Sequence, residues 1–171
     1  KILVEETKKG TKACVLDLGH SFEKTIKYLK GRSLSKAINP LSFKDPNYLK
    51  EFIISFTDQV WTTKEQGKLY KLIKTHINTA TSFKELITLL EVDYHDLSYN
   101  FEGLWQFFDQ EETDFKDLIY LDLSLYPERL KRPLIIYFIE VFKSLRGQKI
   151  FIFDECWGLL ENNASYIAEC F

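Results

Sequence analysis

The residues best suited to chemistry end the run Lys149-Ile-Phe-Ile-Phe-Asp154-Glu155, where an apolar stretch gives way to two adjacent carboxylates. Such a run has the length and composition of a strand buried on both faces, and its acids begin where burial stops. At the carboxyl edge of a parallel sheet that placement suits phosphoryl transfer. Asp154 would hold Mg²⁺ through a water, and Glu155 would orient or deprotonate the water that attacks a terminal phosphate. An acid pair also arises where a strand simply runs out into a solvated loop, and Asp154 would then only cap that loop. A third acid, Asp17, closes the earlier apolar run Ala13-Cys-Val-Leu-Asp17. Parallel pairing would bring it to the same edge, for a more distant contact with a nucleotide. A hydrogen bond to Ser21, or the cap of the next helix, serves Asp17 equally.

Other chemistries have little support. Cys14, Cys156 and Cys170 form no CxxC or Cys/His metal pattern, and an odd count fits buried thiols in a reducing compartment. His76 has helical spacing with Leu69, Leu72 and Ile73 and reads as a helix flank. His20 and His95 fall in loops or helix starts, and nothing nearby in sequence pairs them with a Ser or Cys nucleophile. The 171 residues are 45% hydrophobic and 28% charged, a globular composition with room for one core and a small subdomain. A net charge of −2 gives no global pull towards nucleic acid or anionic lipid. Lys8, Lys9 and Lys12, and Lys24, Lys27 and Lys30, alternate with Glu and read as solvated helix faces. No apolar run approaches membrane-spanning length.

The elements that must position the acids alternate in type. Residues 1–9 read as the end of a helix stopped at Gly10, and 13–18 as a buried strand. A helix starting at Ser21 carries Phe22, Ile26 and Leu29 on one face and stops at Gly31. Residues 32–41 are strand or loop, ending in the turn signal Asn39-Pro40. Helix then follows helix. Asp45-Pro46 is an N-cap with Pro at the first position, and Thr62-x-x-Glu65 and Ser82-x-x-Glu85 are capping boxes. Phe101, Leu104, Trp105 and Phe108 have the spacing of a core-facing helix rather than of a base-stacking platform. After Phe115 the alternation returns. A strand at 118–123 leads to a helix opening at Arg132-Pro133 and running to Leu145. That helix is apolar nearly all round, as one wedged between a sheet and a helical block would be. Then come the strand with its acid pair and a last helix capped by Asn162 or Asn163. The expected fold is α/β with a mostly parallel sheet, divided as 1–44, an all-helical 45–115, and 116–171.

Asp17-Leu-Gly-His-Ser21, Asn39-Pro40 and Asp154-Glu155-Cys156-Trp157-Gly158-Leu159-Leu160 together resemble the TraC-type ATPases of conjugative type IV secretion systems. That family shows Asp-x-Gly-x-Ser on the strand after its phosphate-loop helix and Asn-Pro before a helical block. Its Walker B strand continues into Asp-Glu-Ala-Trp-x-Leu-Leu. The motifs here keep that order along essentially the whole chain; Cys156 stands where Ala is usual, an exchange of small residues. The resemblance implies a RecA-like P-loop NTPase core with an all-helical insertion, ATP and Mg²⁺ as cofactors, Asp154 as the Mg²⁺ residue and Glu155 as the catalytic acid. Trp157, Leu159 and Leu160 would pack the loop after the strand.

No Gly-x-x-x-x-Gly-Lys-Ser/Thr occurs in the chain. By the resemblance, Lys1 would lie within the helix that follows that loop, and the chain would be the middle of a motor domain, inactive alone. The family's arginine-rich stretch, expected after the last helix, is likewise not in these residues. The implied function is a homo-oligomeric motor, such as a hexamer. It would energise secretion or pilus assembly with other secretion-system components, in the bacterial cytoplasm and peripherally at the inner membrane. Two alternatives stand beside it: a non-catalytic RecA-like scaffold, and a DNA-translocating motor of the FtsK/HerA kind. The lack of a basic stripe speaks against direct DNA binding by this segment.

Overall fold

Residues 1–33, 37–57, 59–108 and 117–155, with Gly158, Tyr166 and Ala168, are described in the computed structural model. Their order is α1 (Ile2–Lys8), β1 (Lys12–Asp17), α2 (Glu23–Tyr28), β2 (Arg32–Ser33), α3 (Pro46–Ile54), α4 (Thr63–His76), α5 (Phe83–Leu90), β3 (Leu118–Asp122), α6 (Glu128–Ser144) and β4 (Lys149–Asp154). Two compact units result. One comprises Lys1–Lys36 with Asp114–Phe171, the other Ala37–Thr113.

The first unit holds a four-stranded, all-parallel sheet in the order β2-β3-β1-β4. The three strands expected from the apolar runs are therefore direct neighbours. Ala13, Cys14, Val15 and Leu16 are all buried, so β1 is covered on both faces, which is why its sequence is an unbroken apolar run. On one face Ala13, Val15, Leu118 and Tyr120 form a core with Leu3 of α1 and Ile26 of α2. On the other, α6 packs against β1, and Phe142 stacks on Phe151 with ring centroids 4.9 Å apart. Burial also lifts the Cys14 thiol well above its ordinary pKa, as expected of an inert core cysteine.

α6 begins at Glu128, five residues before the Pro133 that the sequence places at its start. Proline in the second turn removes one intrahelical donor, a cost exceeded by the burial of eleven side chains along the helix. The real flanking proline is Pro127, at the N-cap. The buried Glu140 of this helix accepts from Lys143 (2.5 Å) and from the Tyr166 hydroxyl. The final helix expected after Asn162 or Asn163 lies outside the described residues.

Close packing of α2 on the sheet depends on Gly31. A methyl group there would lie 2.7 Å from Leu118 Cδ2 and 3.0 Å from Ile26 Cγ2, both in the core. Gly31→Ala is expected to destabilise the chain by about 1–3 kcal/mol through overpacking. Chemical denaturation of the two proteins measures this, and an unchanged midpoint would mean that the core yields freely.

The second unit is helical, with no strand among its described residues. Asp45 caps α3 by accepting from Asn47 N–H (2.8 Å). Thr62 and Glu65 close a reciprocal box on α4. At α5 only half the box forms: Ser82 accepts from Glu85 N–H, but the Glu85 carboxylate turns to Thr81 instead. Phe101, Leu104 and Phe108 are buried, in a core where Phe52, Phe56, Phe83, Phe101 and Phe108 meet largely edge to face. Phe101 closes the 3-10 turn Leu97–Phe101, and Leu104 and Phe108 flank the 3-10 turn Trp105–Phe107, in place of the single α-helix their spacing predicts. Asp96 (φ +65°) and Gly103 (φ +75°) interrupt the helical path, while the i, i+3 repeat still serves a 3-10 turn.

Candidate active site

All three long strands end in aspartate, and the register places the three side by side. Asp17 of β1 pairs in register with Asp122 of β3 on one side and Asp154 of β4 on the other. Parallel neighbours run about 4.8 Å apart, so the sheet's carboxyl edge carries a row of acids roughly 10 Å long. The expected shared edge for Asp17 and Asp154 is present. Asp122 is an addition that the sequence reading passed over, although Leu118-Ile-Tyr-Leu-Asp122 repeats the pattern of a strand closed by an acid.

Each acid is held differently. Asp17 is 0% exposed and accepts three hydrogen bonds: from Gly19 N–H (2.9 Å), from Phe22 N–H (2.9 Å) and from the Tyr120 hydroxyl (3.1 Å). It thus ties down the turn between β1 and α2 and the residue before the helix. Its oxygens are taken up in doing so. Burial, with the charges of Asp17 and Asp122, drives the Tyr120 phenol far above its ordinary pKa, so it stays a donor.

Asp122 is 6% exposed and accepts from Ser124 N–H (3.0 Å) and Ser124 Oγ (2.5 Å). Its other oxygen lies 2.5 Å from Nδ1 of His20, whose Nε2 is 3.0 Å from Ser124 Oγ. His20 therefore has an acid and a serine for neighbours after all, from a segment 104 residues away. The contacts resemble a nucleophilic triad, but the Ser124 proton is directed to Asp122 Oδ1. The grouping works as a clamp between the β1–α2 turn and the turn after β3. His20 holds a left-handed backbone, φ +61°, to reach it.

Asp154 is half-buried at the end of β4, and Glu155 is exposed. Glu155 also has a left-handed backbone, φ +58°. Its carboxylate lies over Gly19: a methyl built on Gly19 would come 3.2 Å from Glu155 Oε2 and 3.8 Å from Ser21 Oγ. Two adjacent acids thus differ in placement, one rooted in the sheet and one reaching across the neighbouring turn. Hard carboxylate oxygens suit Mg²⁺, which keeps most of its waters and takes one or two protein carboxylates. Among the described residues no group of three or more metal-binding side chains forms a self-sufficient cage. Asp154 therefore fits a cation that brings its remaining oxygens from phosphates and water. Cys156, Trp157, Leu159 and Leu160 lie outside the described residues.

Against solved structures, this geometry aligns with VirB4 of Thermoanaerobacter pseudethanolicus at a TM-score of 0.67 and 16% identity, over 98% of this chain. The fold is VirB4-like. It is the RecA-like α/β core with a parallel sheet and an all-helical insertion. The chain spans 59% of the VirB4 chain it matches. No family model matches the sequence, and no curated protein matches it. Among the described residues of this VirB4-like chain, no helix is long and apolar enough to cross a membrane.

Proposed function

We propose that the chain is the central part of an ATP-hydrolysing motor of the TraC/VirB4 kind, which energises type IV secretion, conjugative transfer or pilus assembly. The observation that carries this reading is the acid pair Asp154-Glu155 emerging at the carboxyl edge of a parallel sheet whose fold is VirB4-like. The order of the Asp-x-Gly-x-Ser, Asn-Pro and Asp-Glu-x-Trp-x-Leu-Leu motifs along the chain supports it independently. VirB4 is a type IV secretion ATPase, and the likeness carries that role to this chain as a proposal.

In this reading Asp154 holds the Mg²⁺ of Mg-ATP through a water, and Glu155 orients the attacking water and receives its proton. Mg-ATP supplies the phosphoryl group and the charge that the cation neutralises. Asp17 shapes the turn on which the Glu155 carboxylate lies. Subunits would assemble as a homo-oligomeric ring with other secretion components at the cytoplasmic side of the inner membrane.

The test is steady-state ATP turnover by the full-length protein, with and without Mg²⁺. Mg²⁺-dependent hydrolysis is expected, and its absence in a folded, oligomeric preparation would favour the scaffold. The 171-residue chain alone is expected to bind Mg-ATP weakly. It has no Gly-x-x-x-x-Gly-Lys-Ser/Thr, and a triphosphate needs that loop's N–H groups and lysine. Titration calorimetry reads this directly, and tight saturable binding would place a phosphate cradle within these residues.

A further inference from the structure

We propose that His20 is a positioning residue for Glu155, fixing the height of the Gly19 turn on which that carboxylate rests; the inference builds on the ATPase reading above. The turn between β1 and α2 has two anchors. The inner one is Asp17, which takes the N–H groups of Gly19 and Phe22. The outer one is His20, whose ring bridges Asp122 and Ser124 on the turn after β3. Asp122 is buried and is itself pinned by the Ser124 N–H, so the outer anchor is attached to the sheet and not to a loose loop. Gly19 lies between the anchors, with Glu155 Oε2 against its bare Cα.

The left-handed backbone of His20 is the second part of the argument. Residues with a Cβ adopt φ near +60° at a cost, and they keep it where surrounding contacts fix it. The His20 side chain is 53% exposed, so core burial does not hold it there. Its two side-chain contacts do, beside the long bond its carbonyl accepts from Glu23 N–H (3.4 Å). Without them the turn would pivot on Asp17, and the floor beneath Glu155 would shift. A misplacement of about 1 Å at a reacting group costs on the order of a hundredfold in rate. His20 acts through Gly19 and Glu155 and touches no substrate.

The experiment measures Mg-ATP kinetics of the full-length protein carrying His20→Gly, His20→Asn or Glu155→Gln. Glycine accepts the positive φ freely, so His20→Gly removes both contacts without straining the backbone. Its kcat is expected to fall by roughly tenfold or more with KM for ATP unchanged, and the thermal midpoint to fall only slightly as buried Asp122 loses one partner. Asparagine also tolerates that φ and places an amide N–H where Nδ1 stood, so His20→Asn is expected to recover much of the loss. Wild-type kcat in His20→Gly, alongside an inactive Glu155→Gln, would overturn the positioning role and leave the ATPase reading intact. A loss of kcat accompanied by a raised KM, and not rescued by asparagine, would reduce His20 to a structural part. Full turnover by Glu155→Gln would remove Glu155 from the reaction and this inference with it, whereas absence of Mg²⁺-dependent turnover in the wild-type protein would remove the ATPase reading itself.

Discussion

Replacing Glu155 by Gln in the full-length protein is expected to lower Mg²⁺-dependent ATP turnover by ~10²–10⁴-fold and to leave ATP binding intact. The amide keeps the size of the side chain and one acceptor oxygen. It loses the charge and nearly all the basicity that draw a proton from the attacking water. Glu155 is exposed and its carboxylate lies over the Gly19 turn, so folding should not register the change. The measurement is paired: turnover by phosphate release, and affinity by titration with a non-hydrolysable nucleotide. Turnover at the wild-type rate would remove Glu155 from the reaction and leave Asp154 as the only acid of the pair to consider. Loss of binding together with turnover would move Glu155 from proton transfer to nucleotide holding.

Asp17→Ala is expected to destabilise the protein by about 2–4 kcal/mol, because it removes a fully buried acceptor from one buried and two part-buried donors. Gly19 N–H, Phe22 N–H and the Tyr120 hydroxyl would all lose their acceptor, and a small void would open among them. Relief of repulsion from Asp122 and Asp154, its neighbours in register, offsets part of that cost. Asp17→Asn should be milder, at about 1–2 kcal/mol. Its oxygen still accepts from one N–H, and the tyrosine hydroxyl can rotate to receive the amide proton. Denaturant unfolding of the three proteins orders them. If Asp17→Ala unfolds at the wild-type midpoint, the turn between β1 and α2 is held by something other than this carboxylate.

Much of the sheet was legible because burial on both faces leaves a plain trace in the unbroken apolar runs Ala13–Leu16 and Leu118–Leu121; Ile150–Phe153 is as apolar, yet β4 ends the strand order and is only half-buried, not covered on both faces as its sequence suggests. The parallel orientation followed from alternation with helices. Caps were legible at Asp45 and Thr62, where a side chain bonds within its own turn. What escaped was contact between distant segments. The clamp joining His20 to Asp122 and Ser124 bridges more than a hundred residues, and no local spacing encodes it. Asp122 could have been found, since three strands ending alike was visible in the sequence. Proline is a first-turn signal, so the sequence places the start of α6 at Pro133, whereas deep burial carries the helix through that residue from Glu128. For Phe101–Phe108 the spacing identified the buried face correctly but not the tighter 3-10 winding.

The register of β4 on β1 makes strand length a ruler. Lys12 and Lys149 are paired at the lower end, Asp17 and Asp154 at the upper, and the residues between are matched one to one. Each residue advances the chain by about 3.3 Å and reverses the face to which its side chain points. One residue more or fewer between Lys149 and Asp154 would carry the acids past or short of the neighbouring turn and exchange the inner and outer faces of Phe151, Ile152 and Phe153. Two more would restore the faces but lift Glu155 clear of Gly19 by roughly 6–7 Å. Side chains within this run can vary as long as they stay apolar, whereas their number cannot, and gains or losses of residues belong in the turns below the strand.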